Sequence, residues 1–181
     1  MRLLAISGSL RAASSNTAVL LAAAQLAPSQ ATVELYQQLG DLPHFNPDFD
    51  NEKLPKIVGE FRALIGAVDG ILISSPEYAR GVPGTLKNAL DWLVGSFEFP
   101  GKPVALINVS PRATHAQASL TTTLETMSAR IITEASVTLP LLGTTLGAHE
   151  IVANAEFAAP LRQAIAAFAS AISSILPQSR A

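Results

Sequence analysis

The chain has 181 residues, of which 49% are hydrophobic and 14% are charged, and its formal net charge is −2 at pH 7. This length suits one ordinary domain. The chain contains no cysteine, which excludes disulfides, thiolate nucleophiles and cysteine-held zinc or iron-sulfur centres. The near balance of 14 acids and 12 bases argues against a nucleic-acid partner, because such binding requires a basic surface.

Composition also gives expectations about location and assembly. The apolar runs are shorter than the ~20 residues that span a bilayer, and the first residues lead into a predicted strand without a basic segment and cleavage site. We therefore expect a cytoplasmic protein with no membrane partner. The high apolar fraction leads us to expect a homodimer or homotetramer, in which an interface buries part of the apolar surface.

Short apolar runs alternate along the chain with segments of helical period, which is typical of a parallel sheet covered by helices on both faces. Strands are predicted, in chain order, at about 2–7, 32–36, 70–74, 103–109 and 132–139. Helices are predicted from the apolar stripes between and after them, which are Val19, Ala22, Ala23 and Leu26; Ile57, Phe61, Leu64 and Val68; Leu86, Leu90 and Leu93; Leu120, Leu124 and Met127; and Leu161, Ile165, Phe168, Ile172 and Ile175. Residues 37–53 are predicted to form a long irregular connection. The sequence thus predicts an α/β fold, a three-layer α/β/α sandwich in a single domain of residues 1–181.

A polar loop, Gly8 to Asn16, lies between the first predicted strand and the first predicted helix. Glycine allows a sharp turn off the strand, and the following helix offers unpaired backbone N–H groups and the positive end of its dipole. Arg11 adds a planar cation suited to phosphate oxygens. The loop therefore indicates a phosphate site, and the alternative is a turn whose serines only cap the helix.

Two other predicted strands end in polar, turn-forming sequences. The third strand is followed by Ser75-Pro76-Glu77-Tyr78, and the fourth by Ser110-Pro111-Arg112. Ligands of open α/β sheets bind outside the carboxyl ends of the strands, so we expect these loops to meet the Gly8 to Asn16 loop at one site. No metal site is predicted, because Lys53 follows the acidic run of residues 48–52 where a calcium loop needs glycine.

Four motifs, in order and spacing, make the chain resemble a known family. They are Gly8-Ser9-Leu10-Arg11-x-x-Ser14-x-Asn16, Pro76-Glu77-Tyr78, Pro83-Gly84-x-Leu86-Lys87-Asn88-Ala89-x-Asp91-Trp92 and Gly101-Lys102-Pro103-Val104. With them the chain resembles the NAD(P)H-dependent FMN reductases, which include quinone, azo-dye and chromate reductases. The resemblance implies a flavodoxin-like fold with strand order 2-1-3-4-5, an FMN cofactor, and NADPH or NADH as electron donor.

The resemblance also implies roles for particular residues. Those expected at the FMN phosphate are Ser9, Arg11, Ser14, Ser15, Asn16 and Thr17, and Leu10 of the same loop is a further expected cofactor-binding residue. Those expected to border the isoalloxazine ring, chiefly through backbone groups, are Pro76, Glu77, Tyr78, Ala79 and Ser110. No side chain is expected to act as a catalytic acid or base, because the flavin carries the chemistry. Glu77 has an alternative role as an ion-pair partner across a subunit interface.

The chain departs from the family in two places. Ala79 stands where many relatives have a polar residue, and Ser110-Pro111-Arg112-Ala113-Thr114-His115 replaces a glycine-rich stretch. Arg80, Arg112 and His115 are therefore candidates for contacts with the nicotinamide cofactor or the substrate. The alternatives are ordinary surface arginines and a polar residue early in a helix.

The function predicted from this resemblance is an FMN-dependent NAD(P)H oxidoreductase with ping-pong kinetics. It would pass electrons to a small-molecule acceptor: a quinone, an azo compound, free flavin or a metal oxyanion. One alternative is an FMN-binding electron carrier, although such carriers are strongly acidic and this chain is nearly neutral. Another is a non-catalytic regulatory or scaffold domain of the same fold.

Overall fold

The computed structural model of the protein describes residues 1–141 and 143–175. Its strands are β1 (Arg2–Ser7), β2 (Thr32–Leu35), β3 (Gly70–Ser74), β4 (Pro103–Asn108), β5 (Arg130–Ile131) and β6 (Val137–Thr138). Its helices are α1 (Ser15–Leu26), α2 (Lys56–Ala67), α3 (Gly84–Val94), α4 (Thr114–Thr126), α5 (Ala148–Ala153) and α6 (Ala155–Ile175). Short 3-10 helices lie at Leu39–Asp41, Pro47–Phe49 and Thr133–Ala135. No helix within the described ranges is long and apolar enough to cross a membrane.

The strands form a parallel sheet in the order β2-β1-β3-β4-β5, with β6 also paired to β4. This confirms the predicted fold class and strand order. Alternate residues of β1 face opposite sides, because side chains alternate along a strand. Leu3 and Ala5 pack in the core against α1, α5 and α6, whereas Leu4 and Ile6 pack in the core against α2, α3 and α4. The sheet is therefore buried on both faces, in three layers.

The fifth strand differs from its prediction at residues 132–139. A 3-10 turn at Thr133–Ala135 divides this edge of the sheet into β5 and β6, both of which pair with β4. The hydroxyl of Ser136 accepts a hydrogen bond from the backbone N of Leu106 at 3.1 Å and donates one to the carbonyl of Ile132 at 3.1 Å. A side chain thus satisfies the β4 donor that faces the turn. Ala135, in the turn, is buried.

Two smaller differences concern helices. The residues of α2 that are fully buried are Val58, Phe61 and Ile65, while Ile57 and Leu64 of the predicted stripe are half-buried. The short helix α5 was not predicted, because six residues are too few to show a helical stripe.

The long connection after β2 is held against α3. The backbone N of Phe45 donates to Oδ1 of Asn88 at 2.8 Å, and the indole N of Trp92 donates to the carbonyl of Pro43 at 2.7 Å. Trp92 is fully buried, and its ring meets that of Phe45 edge-on with centroids 5.0 Å apart. The Pro83 to Trp92 motif therefore includes residues that anchor this loop.

Candidate functional site

A cavity of about 770 Å³ opens where the loops after β1, β3 and β4 meet. From the predicted set it is lined by Ser9, Arg11, Ser14, Ser15, Asn16, Thr17, Pro76, Glu77, Tyr78, Ser110 and Arg112. Leu10, Ala79, Arg80 and His115 lie outside this lining. The carboxyl ends of the parallel strands thus bring the three loops together, as the topology requires.

The loop after β1 turns where the backbone must pass close to β3. The backbone N of Gly8 donates to the carbonyl of Ser74 at 2.8 Å, and a Cβ on Gly8 would lie 2.9 Å from Oγ of Ser75. A larger residue would force the side chains of Ser75 and Leu86 to shift, so glycine suits this close approach. Leu10 is 58% exposed, and its side chain packs against Gly40. A Cβ on Gly40 would lie 3.3 Å from Cδ1 of Leu10.

The N-terminus of α1 opens into the cavity. Ser14 is the N-cap residue, and its hydroxyl accepts a hydrogen bond from the backbone N of Thr17 at 3.3 Å. The amides of Ser15 and Asn16 have no acceptor within the helix, since the first turn lacks intrahelical partners. Helix α1 has no acid in its first turn, so the positive end of its dipole is left uncompensated by a local charge.

Two side chains at the start of α1 tie the helix to the sheet. Oδ1 of Asn16, which is buried, accepts a hydrogen bond from the hydroxyl of Ser74 at 2.9 Å. The hydroxyl of Thr17 lies 2.8 Å from that of Ser7. These contacts fix the helix N-terminus relative to β1 and β3, and they leave the amide NH2 of Asn16 as a donor.

The charged residues of the lining make it positive. Arg11 and Arg112 are its cations and Glu77 is its one carboxylate, within the ranges that the structure covers. Neither arginine forms an ion pair with any described residue. Oε2 of Glu77 accepts a hydrogen bond from the backbone N of Ala116 at 2.9 Å. The site therefore suits an anionic group near the N-terminus of α1.

The loop after β3 ends in a tight hairpin turn. The backbone N of Tyr78 donates to the carbonyl of Gly81 at 3.1 Å, and the reverse bond measures 3.0 Å. The two central residues, Ala79 and Arg80, have φ values of 49° and 60°, in the region that glycine and asparagine tolerate best. The turn holds their side chains away from the lining, while Tyr78, 50% exposed, borders the cavity.

The loop after β4 forms the facing wall. The hydroxyl of Ser110, a buried residue, accepts a hydrogen bond from the backbone N of Arg112 at 3.2 Å. Oδ1 of Asn108 accepts one from the backbone N of Ser110 at 3.0 Å. Arg112 is exposed at the edge of the cavity, and His115 is exposed in the first turn of α4. His115 therefore lies early in α4 and outside the cavity lining.

Sequence reasoning missed a fourth segment of the lining. Residues 143–148 approach α1 and contribute glycines, two threonines and Leu146, opposite Ala18 and Leu21 of that helix. Gly143 has a φ of 82°, so a side chain there would be strained. The signal was present, because Gly143-Thr144-Thr145 follows the fifth predicted strand and loops after parallel strands share one edge of the sheet.

The site passes the test for a phosphate-bearing cofactor. It combines an uncompensated helix N-terminus, a cation without a carboxylate partner among the described residues, and a cavity within the ~300 to 1,000 Å³ range of ligand pockets. No group of three or more acidic or histidine side chains that could hold a metal ion occurs within the same ranges. Fold and site together define a flavodoxin-like α/β protein with a positively charged cavity at the carboxyl edge of its sheet.

The chain belongs to the NADPH-dependent FMN reductase family, which it matches over residues 1–141. Family membership confirms the resemblance drawn from the four motifs and the expectation of an oxidoreductase family. The expected FMN cofactor and nicotinamide donor agree with the family description.

Individual relatives point the same way. A quinone reductase of Pseudomonas putida KT2440 is 43% identical over 111 residues, which cover 59% of this chain and 58% of that protein. A 2-hydroxy-1,4-benzoquinone reductase of a Burkholderia species is 39% identical over 113 residues, 61% of each chain. The matches thus span about three-fifths of these curated relatives. Among solved structures, FerB, a flavoenzyme NAD(P)H:(acceptor) oxidoreductase from Paracoccus denitrificans, has a TM-score of 0.79 at 29% identity, covering 96% of this chain and 97% of FerB.

Proposed function

We propose that this protein is an FMN-dependent oxidoreductase that uses NADPH or NADH to reduce a small-molecule acceptor, most directly a quinone. The observation that carries the proposal is the cavity in which three strand-end loops meet the N-terminus of α1 and the guanidinium of Arg11. The family match and the quinone reductases among the relatives support it.

The phosphate of FMN would be held at the N-terminus of α1. Arg11 supplies charge-assisted hydrogen bonds, the amides of Ser15 and Asn16 supply donors, and the hydroxyls of Ser9 and Ser14 lie on the same lining. Thr17 contributes through the tie to Ser7 that fixes the helix.

The walls formed by the loops after β3 and β4 would hold the flavin ring. Pro76, Glu77, Tyr78 and Ser110 are on the lining, and backbone groups there can donate to and accept from a planar heterocycle. We assign Ala79 a role only through the hairpin turn that shapes this wall, since its side chain lies outside the lining. Leu10 likewise packs against the long loop.

Bound FMN supplies the redox chemistry, which is hydride acceptance from a nicotinamide and electron donation to an acceptor. With a quinone, NADPH gives up a hydride, solvent supplies one proton, and the products are NADP⁺ and a hydroquinone. The protein's own residues bind and orient the reactants and exclude competing geometries. A single cavity serves donor and acceptor in turn, so we propose ping-pong kinetics.

Arg112 is our candidate for attracting the phosphates of the nicotinamide, because it borders the cavity without a carboxylate partner in the described chain. Arg80 and His115 are exposed near the same loops but outside the lining. We propose for them at most a long-range electrostatic contribution, which salt would screen.

Initial rates of NADPH oxidation, measured at several fixed concentrations of a benzoquinone, test this function. Ping-pong exchange predicts parallel double-reciprocal lines. Intersecting lines would overturn the ping-pong mechanism, and the absence of oxidation of both NADPH and NADH would favour an FMN-binding electron carrier. A chain that takes up no FMN would instead fit the scaffold alternative.

We also propose that residues 1–181 act as one domain and assemble into a homo-oligomer in the cytoplasm. Val94 and Phe97, near the end of α3, are 64% and 98% exposed, and apolar side chains as exposed as these favour an interface. A monomeric mass by light scattering at micromolar concentration would contradict the assembly.

A further inference from the structure

Glu77 caps a helix to which it does not belong. Helix α4 begins at Thr114, and its N-cap residue, Ala113, provides no side-chain cap. Oε2 of Glu77 instead accepts a hydrogen bond at 2.9 Å from the backbone N of Ala116, 39 residues further along the chain. A carboxylate suits this place, because it satisfies an unpaired amide and faces the positive end of the helix dipole.

This contact joins the two walls of the cavity. Pro76 to Tyr78 form one wall, and Ser110 to Ala113, which lead into α4, form the other. The far end of the first wall is closed by the paired hydrogen bonds between Tyr78 and Gly81. The Glu77 side chain therefore links the hairpin turn at Tyr78 to Gly81 with helix α4 through a hydrogen bond.

We propose that Glu77 is a positioning residue for the proposed reaction, one whose carboxylate fixes the two walls relative to each other without exchanging a proton. The inference rests on the proposed function, because it assumes that nicotinamide and acceptor react between these walls. A misplacement of about 1 Å can slow an oriented reaction about a hundredfold. The phosphate end of the cavity is built from other residues, so FMN affinity should depend less on Glu77 than the reduction rate does.

Two variants separate positioning from proton transfer. In Glu77→Gln the amide oxygen can accept the same N–H bond, whereas Glu77→Ala removes the acceptor. Asn154→Ala is the matched control: Oδ1 of the exposed Asn154 accepts a bond from the backbone N of Glu156 at 2.9 Å, at the start of α6 and outside the cavity lining. That variant loses a helix cap without touching the walls.

Three quantities are measured for each protein across a pH series. They are the FMN dissociation constant, the thermal midpoint, and the limiting rate of anaerobic flavin reduction by whichever of NADPH and NADH reduces the wild type faster. We expect Glu77→Ala to lower the reduction rate at least about tenfold and to weaken FMN binding by a smaller factor. Glu77→Gln should stay within about threefold of wild type in rate, with an unchanged pH profile. Asn154→Ala should lose thermal stability and keep the wild-type rate.

The inference is overturned if Glu77→Ala is reduced at the wild-type rate, or if Asn154→Ala slows in proportion to its loss of stability. It is also overturned if Glu77→Gln is as slow as Glu77→Ala or loses a limb of the pH profile. Should Glu77→Ala fail to fold, the rate and pH profile of Glu77→Gln decide the matter. A wild type that neither NADPH nor NADH reduces would refute the proposed function itself, which is a separate result.

Discussion

Replacing Arg11 by alanine should weaken FMN binding about tenfold. The guanidinium lies on the cavity lining beside the N-terminus of α1 and has no carboxylate partner in the described part of the chain. Hydrogen bonds to charged groups contribute about 1.5 to 3 kcal/mol each. Because Arg11 is exposed and solvent screens its charge, we take the lower end, and about 1.4 kcal/mol corresponds to a factor of ten in the dissociation constant.

The assay is a titration of FMN with the apo protein, followed by the quenching of flavin fluorescence. Arg162→Ala is the control, because Arg162 is exposed on α6 outside the cavity lining. The affinity of wild type should fall more steeply with added salt than that of Arg11→Ala, since one screened charge pair is missing from the variant. Equal affinities for wild type and Arg11→Ala would show that the Gly8 to Asn16 loop only caps a helix.

Two further predictions concern stability. Ala79→Asn should raise the thermal midpoint by about 1 to 4 °C, because asparagine tolerates the φ of 49° better than alanine does; an equal or lower midpoint would contradict strain at this turn. Tyr36→Phe should leave stability at pH 7 equal or higher, since the Tyr36 hydroxyl is buried with no hydrogen-bond partner among the described residues. Burial, with Asp41 and Glu60 nearby, raises the pKa of Tyr36 from 10.0 to about 12, so wild type should lose stability as pH rises from 10 to 12. Denaturant unfolding of both proteins at pH 9 and pH 11 checks this, and equal losses in Tyr36→Phe would refute it.

The two central strands β3 and β4 could be predicted because their sequences fit only a buried strand. Strands β3 and β4 are buried along their whole length, so they appear as continuous apolar runs between turns. The edge strand could not be placed correctly, because the run from Ile132 to Leu139 has the same composition whether it is straight or bent. The hydrogen bond from Leu106 to Ser136 that permits the bend joins residues 30 apart in the chain.

The parts of the site that follow from the strand order could be predicted from the sequence. Three loops were expected together because parallel strands end at one edge. The Gly143 to Ala148 segment obeys the same rule, so topology indicates it, but it contains only small, apolar or hydroxyl residues and has no charged side chain that would indicate a ligand site. The positive φ values of Ala79 and Arg80 could not be predicted either. Glycine or asparagine at the two central positions is the usual sequence signal for such a turn, and this chain has neither there.

The third and fourth family motifs make structural contacts outside the cavity lining. Asn88 in the third motif holds the long loop through the backbone N of Phe45. In the fourth, the ammonium of Lys102 donates to the carbonyl of Val68 at 2.8 Å, just past the end of α2. Burial lowers the pKa of Lys102. The motifs that identified the family therefore include residues that stabilise the fold around the cavity and do not line it.

The central claim is that the cavity holds FMN and that a nicotinamide reduces it there. The most direct test is an anaerobic absorbance spectrum of the FMN-loaded protein, freed of unbound flavin, before and after addition of NADPH and, separately, NADH. Flavin absorbance should be retained on the protein and then be bleached by at least one of the two donors. Loss of all flavin on removal of the unbound fraction, or bound flavin that stays oxidised with both donors, would contradict it.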